Sequence, residues 1–411
     1  MKIAIIGAGP SGIISLHSLL KEGLNEVTVY ERRDDIGGCW QCLPPETIDF
    51  EDLALGKIPV DSVPDELPTT IPHTTTQRFM DTATYSYLET NVHETAMQFD
   101  IPFPKETISK LGKDSPFRHY TEINAYLKDI AAMDHIKLHT SVEKLEKSQN
   151  KWRLVLREFG QHDYIYEKYY DRVIVASGHF DVPFIPQIPG LTEFLKLKDT
   201  IVLHSKQFRS RDLFAGKTTV VVGASISAMD GARDILPVAK KVISSRKSTS
   251  EPHYLFGTVA FEHPQIHHRG QITKIVNRTL YFDDGEPIDA DAILLGTGFL
   301  YHYPFLPSMP DLHELIFSKD DPTLAFVGHN QPGLTFKVFQ WQAIVIAKVF
   351  AGKGKIPPTI RNNPTICPEF EIYYNQMRDA SDNILPPWDP QWLEALYRGL
   401  EIRKQNWINN Q

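Results

Sequence analysis

The chain has 411 residues, 42% hydrophobic and 23% charged, with a formal net charge of −8. The length suggests two or three domains of ordinary globular composition, and the charge excludes a strongly basic nucleic-acid binder while leaving room for a local basic pocket. Three cysteines, Cys39, Cys42 and Cys367, exclude a disulfide scaffold and favour a reducing compartment, and no apolar run reaches the roughly 18 residues of a membrane-spanning helix.

The opening stretch MKIAIIGAGPSGII has the outline of a signal peptide, but it reads better as the start of a fold. Lys2–Ile6 is a short apolar run of the kind buried on both faces of a sheet. Gly7-Ala8-Gly9-Pro10-Ser11-Gly12 follows, then Ile14, Leu16, Leu19 and Leu20 at near-helical spacing, with Gly23 as a stop. Val27–Tyr30 is a second strand that ends in Glu31, roughly 20 residues beyond the turn. Strand, glycine turn, helix, strand and acid is the order of a dinucleotide-binding unit. Gly7 permits the tight turn, Gly9 lets the backbone approach a pyrophosphate, and Gly12 lets the helix pack on the strand. The helix N-terminus stabilises the phosphate charge. Glu31 can accept hydrogen bonds from a ribose diol and would repel a 2′-phosphate, so the ligand is FAD or NAD and not NADP.

Residues 45–78, rich in Pro, Thr and acids, read as a long surface excursion near the flavin, either a lid or an insertion. Strands follow at Ile136–His139, near Trp152–Glu158 and at Val173–Gly178. A second unit begins at Thr218–Val222. It continues through Gly223-Ala224-Ser225-Ile226-Ser227-Ala228, a helix from about Ser227 to Val238, and a strand Val242–Ser244. Where the first unit carries Glu31, this one carries Ser244-Ser245-Arg246-Lys247, two cations suited to a 2′-phosphate and hence to NADPH. A solvated basic turn is the alternative. Ile272–Ile288, with a turn at Asp284-Gly285, precedes Ile293–Gly298 much as the earlier alternating strands precede Val173–Gly178. The architecture is α/β with two dinucleotide-binding (Rossmann-like) domains. The NADPH domain, 181–298, is inserted into a discontinuous FAD domain of 1–180 and 299–411.

The sequence resembles the flavin-containing monooxygenases, in particular their soluble fungal type, from residue 1 to about 355. The likeness rests on GAGPSG, YERRDDIGGCW, Tyr87–Pro104 (YLETNVHETAMQFDIPFP), Gly178–Gly190 (GHFDVPFIPQIPG), GASISA, Gly296–Phe299 (GTGF), Asp321–Gly328 (DPTLAFVG) and QWQAIVIAKVFAGK. The family's identifying FxGxxxHSxxY/F is kept only in its second half, His204-Ser205-Lys206-Gln207-Phe208; Lys198 and Thr200 replace Phe and Gly. Gln340 stands where the family has Glu.

The resemblance implies that NADPH reduces FAD, that the flavin captures O₂ as a C4a-hydroperoxide, and that a soft nucleophile takes the distal oxygen. It adds Ser11, Arg32, Gly38, Trp40, Thr90, the Val142 backbone and Gln342 to Gly7, Gly9, Gly12 and Glu31 as FAD contacts. It adds Ser205, Ser225 and Ser227 to Gly223, Arg246 and Lys247 as NADPH contacts. It makes Asn91 the catalytic residue, an amide that can donate to one group while accepting from another. Among substrates it favours small thiols such as cysteamine, cysteine and glutathione, with other sulfur or nitrogen compounds also open. No metal, membrane span or nucleic acid is implied, and a homo-oligomer is compatible with the sequence. A cytoplasmic location follows from cysteine usage, with peripheral association to the endoplasmic reticulum surface left open.

Two rival enzymes remain. A Baeyer–Villiger monooxygenase would act on a carbonyl. A flavoprotein disulfide reductase would use Cys39-Trp40-Gln41-Cys42 as a redox pair. A flavoprotein serving only as a binding module is disfavoured by the presence of two cofactor sites. His263, His267 and His268 lack a completing zinc pattern and read as a surface loop. Asn277-Arg278-Thr279 is a glycosylation acceptor left idle without a secretory signal.

Overall fold

A computed structural model describes residues 1–73 and 76–409; Thr74 and Thr75 of the expected excursion, and Asn410 and Gln411 of the tail, lie outside the described residues. The fully buried strand Ile3–Ile6 lies near the middle of a seven-stranded sheet. The strand order is Leu312–His313, Phe317–Ser318, Leu324–Phe326, Arg172–Val175, Ile3–Ile6, Val27–Tyr30 and Ile136–Lys137. The last five run parallel, with Ile3 opposite Arg172 on one side and Val27 on the other. Both faces of this strand are covered: Ile3 and Ile5 pack toward helices Pro10–Lys21 and Thr335–Phe350, and Ala4 and Ile6 toward Val142, Leu145, Leu154 and Leu156 of an antiparallel sheet, which is why IAII can be apolar throughout.

The second sheet repeats this plan. Its order is Ile266–Arg269, Lys241–Ser245, Thr218–Val222, Ala292–Leu295 and Ile201–His204, all parallel. In each sheet a central strand feeds a glycine turn and is flanked by the strand that follows its helix and by a later returning strand. Helix Pro10–Lys21 buries Ile13, Ile14, Leu16 and Leu19, and helix Thr335–Phe350 packs along it. Burying each such side chain stabilises the fold by roughly 1.5–3 kcal/mol.

The remaining elements depart from the sequence reading in three places. The expected strand pair over 272–288 is three short strands, Ile272–Val276, Thr279–Phe282 and Ile288–Asp289. The additional turn falls at Asn277-Arg278, where Asn277 takes φ +52, a conformation Asn tolerates better than most residues. His267 and His268 do not lie in a surface loop. They belong to the edge strand Ile266–Arg269, held parallel to Lys241–Ser245 by the backbone ladder. The excursion, read only as a surface segment, also holds regular structure of its own. Thr69–Pro72 pairs antiparallel with His162–Tyr170 at the edge of a four-stranded sheet, and Phe50–Ala54 is a short buried-faced helix.

Residues after 360, for which the sequence offered no reading, form helices Phe370–Ala380 and Gln391–Asn409. The last helix reaches the second unit: Arg403 pairs with Asp230, and Trp407 packs edge-on against Phe256 at 5.3 Å. Among the described residues no helix is long and apolar enough to cross a membrane.

Where the two sheets meet, Lys206 is 0% exposed; its Nζ lies 2.7 Å from the Asp81 carboxylate, which is 2% exposed, and donates to the Asp181 carbonyl at 2.6 Å. A buried charge that loses its partner is costly. Lys206→Met should therefore destabilise the protein by about 3 kcal/mol. Urea unfolding followed by fluorescence checks this, and an unchanged midpoint would contradict it.

Candidate functional site

Both glycine turns open onto one cleft of about 1320 Å³. Gly7, Gly9, Ser11 and Glu31 line it from the first unit, and Gly223, Ser225 and Ser227 from the second. Gly7 has φ +101, and a Cβ there would lie 2.6 Å from the Ala176 carbonyl oxygen. Gly223 repeats this with φ +131 and 2.3 Å to the Gly296 oxygen. Gly12 stands one step behind the cleft, where a Cβ would sit 1.9 Å from the Gly7 oxygen.

Neither following helix has a side-chain hydrogen bond at its N-cap: Gly9 precedes Pro10 in the first, and Ser225 begins the second. Their leading N–H groups therefore face the cleft unclaimed by a cap, which suits an anionic pyrophosphate. Glu31 is buried. Its carboxylate accepts from Ala8 N–H at 2.8 Å and from Arg33 N–H at 3.0 Å. The acid thus fixes the glycine turn, and each oxygen keeps a lone pair for a ribose hydroxyl.

Asn91 lines the same cleft, and its amide has no hydrogen-bond partner among the described residues. Its neighbour holds it in place. Thr90 is buried, its Oγ1 donates to the Val92 carbonyl at 3.1 Å, and Arg118 N–H donates to that Oγ1 at 3.1 Å. Gly38 and Trp40 line the cleft from a single helical turn, Gly38–Trp40.

At the far end, Arg246 and Lys247 both line the cleft where strand Lys241–Ser245 stops. The Arg246 guanidinium lies 4.6 Å over the Phe261 ring and contacts His268 Nδ1 at 3.3 Å, so its direction is set before any phosphate arrives.

Three expected FAD contacts do not line the main cleft. Arg32 and Val142 line a small annex of about 120 Å³ beyond Glu31. Arg32 donates to the carbonyls of Arg78 and Phe79 and pairs with Asp181. Gln342 is 0% exposed and lines neither space, because both ends of its amide are taken. Its Oε1 accepts from Gly328 N–H at 3.0 Å and its Nε2 donates to Tyr373 Oη at 2.8 Å. It supports the cleft through Gly328, which does line it.

Sequence reasoning passed over several cleft residues. Ser177 Oγ, Ser205 Oγ, Asn330 Oδ1 and both ring nitrogens of His179 are buried with no protein partner, and all four residues line the cleft. Buried polar atoms are normally satisfied, so these suit the hydroxyls and phosphates of bound dinucleotides. Only Ser205 was foreseen. The others follow strand ends, where a motif marks the turn but not the side chain that faces inward. Burial, aided by His329, lowers His179 to about 4, which keeps it neutral at physiological pH.

Cys39 and Cys42 are free thiols. Cys39 faces the cleft, and the surrounding protein pushes its pKa up to about 11 despite the pull of Arg33. Cys42 turns toward the Thr84 carbonyl instead, at 3.5 Å. Among the described residues no group of His, Cys, Asp or Glu is arranged to hold a metal.

Comparison with known proteins fits this geometry. A family profile described as FMO-like, flavin-binding monooxygenase-like, matches residues 1–46 and 75–253. Flavin-containing monooxygenase FMO GS-OX-like 8 of Arabidopsis thaliana is 33% identical over 382 residues, covering 86% of this chain and 76% of its own. Flavin-containing monooxygenase ustF1 of Aspergillus flavus is 29% identical over 374 residues, covering 87% and 73%. Among solved structures, S-allyl-L-cysteine S-oxygenase from Allium sativum has a TM-score of 0.76 at 23% identity, covering 98% of this chain and 93% of that one.

Replacing both Arg246 and Lys247 by Ala removes the cations nearest a 2′-phosphate. NADP⁺ affinity should fall roughly 10- to 100-fold, as expected for one or two lost charge-assisted bonds, with NAD⁺ affinity little changed. Calorimetric titration of both nucleotides checks this; equal losses would contradict the assignment.

Proposed function

The chain belongs to the flavin-binding monooxygenase-like family, and from that premise we propose that this FAD- and NADPH-dependent monooxygenase oxygenates soft sulfur nucleophiles, small thiols first among them. The observation that carries the reading is the single cleft onto which both glycine turns open, with Asn91 on its wall. Bound FAD, reduced by NADPH, supplies the activation of O₂.

The chain's own residues bind, orient and exclude water. The Gly7–Gly12 turn and Glu31 hold one nucleotide; Gly223, Ser225, Ser205, Arg246 and Lys247 hold the other. Asn91 follows the buried Thr90 on the cleft wall, and its amide can donate toward the reacting oxygen while accepting from the nicotinamide side. Leu88, Met97, Phe336 and Phe339 give the cleft apolar walls, which keep water from diverting the activated oxygen. One oxygen atom passes to the thiol sulfur and the other leaves as water. The resulting sulfenic acid condenses with a second thiol to a disulfide, releasing another water. The garlic S-oxygenase, of similar fold, acts by its name on the sulfur of a cysteine derivative.

The reductase alternative needs a thiolate at Cys39 or Cys42. Both thiols are free, and Cys39 lines the cleft while Cys42 turns to the Thr84 carbonyl, so the two do not face one site as a redox couple. Cys39→Ser with Cys42→Ser should therefore retain NADPH-dependent oxygen consumption within about twofold, measured with an oxygen electrode; abolished turnover would favour the reductase. Asn91→Ser should spare FAD binding but uncouple the reaction. NADPH oxidation would then yield H₂O₂ instead of thiol product, as read by a peroxide assay, and full coupling in the variant would contradict the role.

A further inference from the structure

Residues 47–74 lie between the two stretches that match the family profile. None of the described residues of 45–78 lines the cleft that holds Asn91. The segment is nevertheless firmly built. Its base is closed by two reciprocal carboxylates. Glu46 accepts from the N–H groups of Phe79, Met80 and Asp81 at 3.1, 2.7 and 3.2 Å, and Asp81 accepts from Glu46 N–H at 3.1 Å. Arg33 Nε donates to the Met80 carbonyl at 2.6 Å, and Arg32 to those of Arg78 and Phe79. These two arginines directly follow Glu31, so the base is tied to the ribose-binding acid. From the other unit, Gln207 Nε2 donates to the Glu46 carbonyl at 3.1 Å.

The body of the segment is fixed as well. Ile48, Phe50 and Leu53 are 5–6% exposed and share a core with Val182, Phe194 and Val220 of the second unit. Arg78 pairs with Asp61 and is bidentate to Glu143 at 2.9 and 3.1 Å. Pro59–Asp61 and Thr76–Phe79 line the annex together with Tyr30 and Thr140–Glu143, to which that bridge ties them. The annex opens to the main cleft through Gly7, Glu31, Arg33, Ser177 and Asp181, which line both.

On the adenosine side, a dinucleotide whose pyrophosphate lies at the Gly7 turn and whose ribose lies at Glu31 has its purine left to place, and the annex is the space beyond Glu31. We propose that this excursion is the outer wall of the adenine pocket and retains FAD by its AMP half. The proposal rests on the assignment of FAD to the first unit. It adds Val60, Asp61, Gln77 and Arg78 as residues that enclose or stiffen that pocket.

The test uses the full chain, stripped of flavin, with hydrogen exchange followed by mass spectrometry over residues 55–63 and 76–81. FAD should slow exchange there at least threefold, whereas FMN, which lacks the AMP half, and NADP⁺ should not. A second arm replaces residues 49–72 by a flexible Gly–Ser linker. FAD should then dissociate at least tenfold faster by flavin fluorescence, with NADP⁺ affinity unchanged as the sign of an intact fold. Equal protection by FMN, no protection while fluorescence shows FAD bound, or an unchanged release rate would each overturn the proposal. A chain that bound no FAD at all would overturn the cofactor assignment beneath it.

Discussion

A carbonyl oxygen at the end of a neighbouring strand presses against the first glycine of each dinucleotide turn, Ala176 against Gly7 and Gly296 against Gly223. These approaches leave no room for a side chain, and both glycines have positive φ, so the turn, its helix and the crossing strand are set together. Each helix then starts with its N–H groups aimed at the same space. The sheets need not be similar in sequence to do this. The second turn keeps only Gly223 of the three glycines; Ser225 and Ala228 stand in for the others, and Ala228 packs against Gly296. Two copies of one local constraint produce a cleft with a helix N-terminus on each side.

The junction between the units explains the part of the family's identifying sequence that this chain keeps. His204 Nε2–H donates to the Gly298 carbonyl at 3.0 Å while its Nδ1 accepts from Lys206 N–H at 3.1 Å, which fixes both its tautomer and the turn after Ala292–Leu295. Ser205 faces the cleft. Lys206 turns the other way, into the Asp81 and Asp181 cluster. Burial alone would raise Asp181, but Arg32, Arg33 and Lys206 outweigh it and hold the carboxylate below its usual range. Three consecutive residues thus serve a turn, the cleft wall and a domain contact. Lys198 and Thr200, where the pattern lapses, lie outside this network, although Thr200 Oγ1 caps Phe194 and Leu197 carbonyls nearby.

What could be read from the sequence was whatever depends on short-range order. Ile3–Ile6, Val27–Tyr30 and Thr218–Val222 appear as strands where apolar runs and glycine turns placed them, and Asn91, Trp40, Arg246 and Lys247 do line one cleft. What escaped depends on contacts between distant residues. Gln342 was assigned to the flavin by its place in a motif, but its helix turns it inward onto Gly328 and Tyr373. His179 carries no signature, because its place on the cleft wall, stacked on Tyr301, comes from contacts between residues distant in sequence. The excursion's polar composition suggested solvent. Three of its apolar residues, Ile48, Phe50 and Leu53, anchor it, and Arg78 pairs with Asp61 within it and with Glu143 beyond it.

The central claim is that two different dinucleotides lie within reach of each other in one cleft. Anaerobic mixing of the purified protein with NADPH, followed by the flavin's visible absorbance, tests it most directly. The account predicts a yellow protein whose colour is bleached rapidly by one equivalent of NADPH and far more slowly by NADH. A colourless preparation that takes up no FAD, or a bound flavin that neither nucleotide bleaches, would contradict it.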